Sequence, residues 1–401
     1  MKIASLETFV VGNPPPRKGG RYFIFVKLTT DDGIVGYGEV YTAAWSPQVV
    51  CRVAEDVFQR YLEGTDPFHV ERFWRRTYGS GFAHRPDFAT AGVVSGLETA
   101  MWDIAGKAVG KPVYELLGGR VHDRLRAYTY LYPSDEFDAH SDHAVYTDPD
   151  AAAEVALREV RRGFTAVKLD PAGPYSVYDG RQPSLEAIDR SVRMVAAIRK
   201  AVGTKADILF GTHGQFTASG AIRLAKALEP YDPMWFEEPI PPDAPEEMAK
   251  VAAHTSIPIA TGERLTSKYE FAHLLRAGGA SIRQMANGRC GGLLEGKKIA
   301  AIAETYHAQI APHLYCGPVE ALGNMALSTC SPNFLIMESI QDMGGFHAKL
   351  LTRKIRFEDG FLVPFDEPGL GADLDEAVAR AHPYTGTDLH LQERQTPATL
   401  L

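Results

Sequence analysis

Cysteine is scarce in this sequence of 401 residues: Cys51, Cys290, Cys316 and Cys330 stand apart, with no C-x-x-C pair among them. That usage argues against a disulfide framework and fits a reduced, cytoplasmic protein. Long apolar runs are also missing. None approaches the roughly 20 residues needed to cross a bilayer, and the opening MKIASLETFVVG has no basic region leading into an apolar stretch, so neither a membrane span nor a secretory leader is expected. Positive charge is in deficit. With 50 acidic against 42 basic residues the formal charge is −8, which speaks against general binding of nucleic acid or anionic membrane; an anionic substrate would need a local cationic pocket. Low-complexity segments are absent, and hydrophobic content of 45% with 23% charged residues is ordinary for a folded globular protein.

What is present divides the chain in three. Residues 1–120 read as an α+β unit: IASLETFVV, YFIFVKLTT and IVGYGEVY are strands, and Asp31-Asp32-Gly33 between the last two is a hairpin signal because Asp and Gly tolerate positive φ. Helical periodicity follows from Pro47 to about Leu117, with Leu97, Met101, Ile104 and Ala108 on one expected face. Residues 121–355 alternate short apolar runs (LRAYTYL, FTAVKLD, ADILFG, MWFEEP, PIATGE, SIRQMA, AQIAPH, FLIMES) with helices expected at 150–162, 184–201, 217–228, 245–253, 267–276 and 292–306. Seven or eight successive βα units point to a closed parallel barrel more than to an open doubly wound sheet. Residues 356–401 return to turn-rich β character and are expected to pack back on the first unit. Two insertions, 132–149 and 171–183, exceed the usual barrel connection; each is surface decoration or, for the second, a lid.

Polar residues close the apolar runs. Lys168 and Asp170 end one; His213 follows another; Glu237 and Glu238, Glu263, His313 and Glu338 end the rest. One such residue is an ordinary solvated strand end. In a barrel all of them converge on a single rim, where a lysine, two histidines and several carboxylates suit proton transfer and binding of a hard cation. A basic loop with Arg17, Lys18 and Arg21, together with Trp45, either covers the far end of a substrate or is a solvated basic loop.

The order and spacing of GIVGYGE, ETAMWDIAGKAVGKPVYELLGG, EEP, GER, APH and PGLG resemble the mandelate racemase and muconate lactonizing enzyme family of the enolase superfamily, nearest to its sugar-acid dehydratases of the galactonate and mannonate type. The resemblance spans nearly the whole chain. It implies an α/β fold, a modified TIM barrel (β/α)7β with an N-terminal α+β capping domain, and a homo-oligomer acting on a small acid sugar. It also implies removal of a proton α to a carboxylate with help from Mg2+, or from Mn2+ or another divalent ion.

By the same resemblance Glu237 and Glu263 are the second and third metal ligands, His213 is the acid serving the departing hydroxyl, and His313 is the base. Lys168 keeps the first lysine of a K-x-K pattern whose second member is Asp170, a substrate-contact position, and Glu338 is a rim carboxylate. Glu238 and Arg264 orient their neighbours. Two departures stand out. The first metal-ligand position carries Gly211, which implies a weak metal site in which His213 or a water completes the sphere; either an acid is simply absent, and an aspartate at 211 would tighten magnesium, or the glycine makes room for substrate or backbone, and it would not. The aspartate that should orient His313 is Ala286, with Asn287 as the nearest polar group. The leading function is dehydration of an acid sugar to a 2-keto-3-deoxy acid. An epimerase or cycloisomerase on the same scaffold, and a binding relative without activity, are the alternatives.

Overall fold

The computed structural model describes residues 1–42, 45–82, 84, 87–391 and 395–396. The chain opens with an antiparallel sheet of β1 (Ile3–Gly12), β2 (Tyr22–Thr30) and β3 (Val35–Val40), and the Asp-Asp-Gly turn joins the last two with Gly33 at φ 87°. Helices Pro47–Tyr61, Val70–Tyr78 and Phe88–Val109 cover it. The last of these is buried on nearly all sides from Ala89 to Gly106, while Ala108 is exposed. A single apolar face was too narrow an expectation, because the helix is clamped between the small sheet and the rest of the chain. Glycines in β3 permit the clamp: a Cβ on Gly36 would sit 2.2 Å from the Ala100 carbonyl oxygen, and one on Gly38 would sit 1.8 Å from that of Gly96.

Among the described residues, β4 (Leu125–Tyr130), β5 (Ala166–Leu169), β6 (Asp207–Gly211), β7 (Trp235–Glu237), β8 (Ile259–Thr261), β9 (Ile282–Arg283) and β10 (Gln309–Ile310) pair in parallel in chain order. β11 (Met337–Ser339) pairs with β4, and a parallel bridge from Ile310 to Phe334 links β10 to the run leading into β11. The eight strands thus close into a barrel. Its interior holds one apolar side chain from each strand run: Tyr128, Ala166, Leu209, Trp235, Ala260, Ile282, Ala311 and Ile336. Side chains alternate along a strand, so positions two and four residues beyond these also turn inward, at the mouth.

The expected barrel helices occur at Pro149–Arg161, Leu185–Val202, Ala218–Leu228, Pro245–Ala252, Ser267–Ala277 and Leu293–Glu304. A further helix, Pro318–Thr329, carries no amphipathic signal because every one of its residues is buried. The two acidic residues of the GYGE and ETAMWD motifs fasten the first unit to the barrel. Glu39 accepts from the backbone N–H of Gly317 (2.5 Å) and Glu320 (2.9 Å), and Glu98 from those of Leu293 (2.7 Å) and Leu294 (2.9 Å). Each carboxylate caps the N-terminus of a barrel helix whose own first N–H groups have no partner within the helix.

The final segment divides. β12 (Arg356–Glu358) and β13 (Phe361–Val363) form a hairpin that pairs antiparallel with the start of β4, so this part joins the barrel and not the first unit. Beyond it the chain does return to the first unit: Leu370 N–H donates to Asp103, Lys107 pairs with Asp373, and Glu376 takes Lys27 at 2.5 Å and the Tyr37 hydroxyl at 2.8 Å.

Burial of Glu376 opposes ionisation, but Lys27, Tyr37 and Arg380 outweigh it and hold the carboxyl down at about 2. A depressed carboxyl contributes stability above its unfolded value of 4.5 and loses it as pH falls through about 2. Glu376→Gln should therefore lower stability by about 1 kcal/mol at neutral pH, discounted for the partly solvated pair. The difference from the wild type should shrink steadily from pH 5 to pH 2 in urea unfolding monitored by circular dichroism. A constant difference across that range would contradict the ion-pair account.

Candidate active site

Alternation places Lys168 and Asp170 two and four residues beyond Ala166, Gly211 two beyond Leu209, Glu237 two beyond Trp235, Ala286 four beyond Ile282, His313 two beyond Ala311, and Glu338 two beyond Ile336. All face the mouth. The structure brings Lys168, Asp170, His213, Glu237, Glu263, His313 and Glu338 into one cluster, buried except for His213, whose side chain is 30% exposed. Lys168 Nζ is seated on Glu237 Oε1 and lies 3.7 Å from Glu338 Oε1; the lysine and Glu237 side chains are 2% and 1% exposed. Trp235 Nε1 donates to the other Glu237 oxygen at 3.0 Å. Glu338 Oε2 accepts from the Leu314 N–H at 2.9 Å and lies 3.7 Å from His313 Nε2. His313 Nε2 is also 3.4 Å from Glu263 Oε2.

His213 sits at φ 44°, a left-handed backbone that a residue with a side chain seldom adopts and that tends to mark functional positions. Its Nδ1 lies 2.6 Å from Asp170 Oδ2, and the Tyr175 hydroxyl donates to that same oxygen. Asp170 is therefore a partner of His213 and not a free substrate contact. The contact takes Nδ1 of His213 and leaves Nε2 for the substrate or for an ion. Tyr175 comes from the insertion 171–183, whose length was the only sequence signal for it. The other departure is real: Ala286 is buried without a polar group, and Asn287 does not reach His313. The Asn287 amide donates to Asn324 Oδ1 (2.8 Å), and Asn324 in turn donates to the His313 carbonyl oxygen (2.9 Å). His313 Nδ1 is left buried without a hydrogen bond.

These surroundings separate the two imidazoles. For His213 burial favours the neutral ring, but Asp170 and Glu263 outweigh it and raise its pKa to about 9. For His313 burial dominates and pushes the pKa down to about 3. Burial likewise raises Glu338, to about 7. Burial opposes ionisation of Glu263, but the charges of His213, Lys168 and Arg264 hold the carboxyl down. Lys168 stays charged: burial opposes the ammonium, and Glu237 and Glu338 more than restore it. Glu238 is engaged by Arg264 at 2.9 Å, on the other side of the strand from Glu237.

The roof over the mouth comes from separate segments. Arg17 pairs with Asp138 of the insertion 132–149 at 3.3 Å, Ala139 N–H donates to the Pro16 carbonyl, and buried Lys18 binds Asp135 and Gln341. Arg21 pairs with Asp388 at 3.6 Å. These partners make Lys18 a structural tie between loops, and Trp45 remains 56% exposed. Sequence reasoning missed Tyr41, which stacks on His313 with ring centroids 5.8 Å apart and planes 5° from parallel, and Arg289, whose guanidinium lies 3.4 Å over the Tyr41 ring. It also missed His390, buried against Tyr22, Tyr41 and Tyr315.

Comparison with known proteins agrees with this geometry. The Enolase C-terminal domain-like family matches residues 150–378, and the Mandelate racemase / muconate lactonizing enzyme N-terminal domain matches residues 17–118. The chain belongs to the mandelate racemase/muconate lactonizing enzyme family of the enolase superfamily. It is 34% identical over 389 residues to a D-galactonate dehydratase of Verminephrobacter eiseniae, covering 94% of this chain and 93% of that relative. A crystal structure of a protein from Labrenzia alexandrii named for the same family superimposes with a TM-score of 0.96 at 63% identity, covering 99% of this chain and 100% of the other. A mandelate racemase/muconate lactonizing enzyme from Sulfitobacter superimposes at 0.95 with 55% identity, covering 99% of each chain. The family is one of enzymes, and its barrel with an N-terminal cap is the fold seen here.

The gap at residue 211 is filled from the side. A Cβ built on Gly211 would lie 2.0 Å from Asp170 Oδ1, a distance no packed pair of atoms tolerates. Of the two readings of this glycine, the occupied space favours the one in which it makes room, and an aspartate at 211 would meet Asp170. Gly211→Ala should destabilise the protein by about 1–3 kcal/mol through overpacking. Combining it with Asp170→Ala should recover most of the loss. Additive losses in thermal unfolding of the double variant would show that the two positions do not contend for one space.

Proposed function

We propose that this protein is an acid-sugar dehydratase, removing the proton α to a carboxylate and expelling the β-hydroxyl to give a 2-keto-3-deoxy acid. One observation carries the reading: the same rim holds two imidazoles in opposite surroundings, His213 against the Asp170 carboxylate at 2.6 Å, which favours the charged ring, and His313 buried with Nδ1 unbonded, which favours the neutral one. Two titratable groups pushed apart in this way supply an acid and a base together. The names of the galactonate dehydratase relatives support the substrate class.

Among the described residues no three His, Cys, Asp or Glu side chains form a ready-made metal cage. The donor chemistry nonetheless suits a hard divalent cation, because Glu263 Oε2 is buried without a hydrogen bond beside Glu237 in an acidic cluster. Glu237 and Glu263 would hold Mg2+ or Mn2+, with Lys168 moving off Glu237. Such an ion would supply positive charge against the charge that gathers on the substrate carboxylate as the α-proton leaves.

His313 takes that proton at Nε2, and Glu263, 3.4 Å away, stabilises the imidazolium as it forms. Without an aspartate behind it His313 is a weak base, so the anions in front of it do the work that an orienting acid would do from behind. His213 gives its Nε2 proton to the departing hydroxyl while Asp170 holds Nδ1. The electron pair of the broken C–H bond becomes the Cα–Cβ double bond, water leaves, and the enol tautomerises to the 2-keto acid.

Screening aldonates and aldarates with Mg2+ or Mn2+ for 2-keto products tests the reaction. Turnover should appear with at least one member and fall with His213→Asn or His313→Asn by about 100- to 10,000-fold. In deuterated water His213→Asn should still exchange the α-proton, whereas His313→Asn should not. Exchange surviving only in His313→Asn would reverse the two roles, and substrate epimerised without a 2-keto product would replace dehydration by isomerisation. Glu263→Gln should abolish Mn2+ binding in calorimetry with the fold intact; unchanged affinity would sink the metal assignment.

A further inference from the structure

Gly211 and Asp170 are two departures from the family pattern in sequence and one feature in space. β5 and β6 pair Leu169 with Phe210, so Asp170 and Gly211 come next on adjacent strands, and Gly211 itself pairs with Glu237 of β7. The position that lacks an acid is therefore flanked by one on each side. The Asp170 carboxylate does not merely stand near: its Oδ1, Cγ and Oδ2 lie 2.0, 3.0 and 3.3 Å from where a Cβ of residue 211 would be.

The two oxygens of Asp170 have different surroundings. Oδ2 is taken by His213 and the Tyr175 hydroxyl, while Oδ1 is buried and accepts no hydrogen bond from any described group. The side chain is 1% exposed. A buried, ionised oxygen without a donor is costly unless a cation completes it. Lys168 does not do so, since its ammonium goes to Glu237 and Glu338.

We propose that Asp170 replaces the acid missing at residue 211, so that the divalent ion is held by Asp170 Oδ1 from β5 together with Glu237 and Glu263. This rests on the metal reading above and deepens it, since the site then has three anionic ligands and not a weakened pair. Gly211 becomes a requirement of the arrangement, because any side chain there would displace the ligand. Asp170 also has two tasks, one for each oxygen: Oδ2 fixes the His213 ring and Oδ1 faces the ion. The rival account, in which Asp170 only positions His213, uses Oδ2 and leaves both the orphan oxygen and the glycine unexplained.

Mn2+ binding to the full chain, followed by calorimetry and by the loss of the free-ion electron paramagnetic resonance signal, separates the accounts without reference to turnover. Asp170→Ala should weaken Mn2+ by at least about tenfold, and the near-isosteric Asp170→Asn should do so with the metal-free protein still folded by circular dichroism, its melting temperature lowered by the lost contact with His213. Gly211→Asp alone should bring no gain. Asp170→Ala/Gly211→Asp should restore much of the wild-type affinity, the acid having moved back to β6. Wild-type affinity in Asp170→Asn, or a double variant that binds tighter than wild type, would overturn the proposal. If Glu263→Gln abolishes binding while Asp170→Asn leaves it intact, only the Asp170 assignment falls; if the wild type binds no Mn2+, the metal reading falls with it.

Discussion

Lys168 and Glu237 face each other at the barrel mouth almost without solvent, and such a pair is stable only while both members remain. Removing either partner strands a buried charge, at a cost of roughly 3–5 kcal/mol. The pair also sets the charge balance of everything around it. Asp170 and Glu263 are held ionised, Glu338 is raised to about 7, and the cations available to them are Lys168 and His213. The ammonium lies between Glu237 and Glu338, so Asp170 and Glu263 are left with an excess of negative potential in a place that water reaches poorly. The raised pKa of His213 and the affinity expected for a divalent ion are two responses to that same excess.

His313 shows the other side of this constraint. It stands only 3.4 Å from an ionised carboxylate, yet burial keeps it neutral. In a pocket lined by Tyr41 on one face and by the Ala286 methyl where an acid could stand, desolvation of a charged ring exceeds what one anion returns. The ring beside an aspartate and the ring without one differ in electrostatic character, which is the reason for assigning them opposite duties in proton transfer.

The barrel was readable in the sequence because each strand run ends in a polar residue, and alternation of side chains is a local rule that needs no knowledge of distant contacts. Lys168, Glu237, Glu263, His313 and Glu338 were accessible by that rule. The helix Pro318–Thr329 was not, since burial on every side erases the polar stripe on which helix recognition depends. Asp170 was visible as a residue but not as a neighbour of Gly211: the relation crosses two strands, and only the inter-strand register puts the carboxylate where a missing Cβ would be. Tyr41 and His390 lie far from the barrel strands in sequence, and Arg289 follows β9 without closing its apolar run, so nothing local marks them as part of the site. The Glu39 and Glu98 motifs could be matched as patterns, whereas their work as caps on barrel helices required the docked structure.

The roof is assembled from the loop around Arg17, the insertion 132–149, the insertion carrying Tyr175 and the returning tail with His390, whereas the proton-handling groups all stand on barrel strands or directly after them. The tail reaches as far as the second insertion, where Ser176 donates to the Thr396 carbonyl oxygen. These pieces are separate stretches of chain, and among the described residues only the second insertion touches the proton-handling groups directly, through Tyr175 on Asp170 and His213.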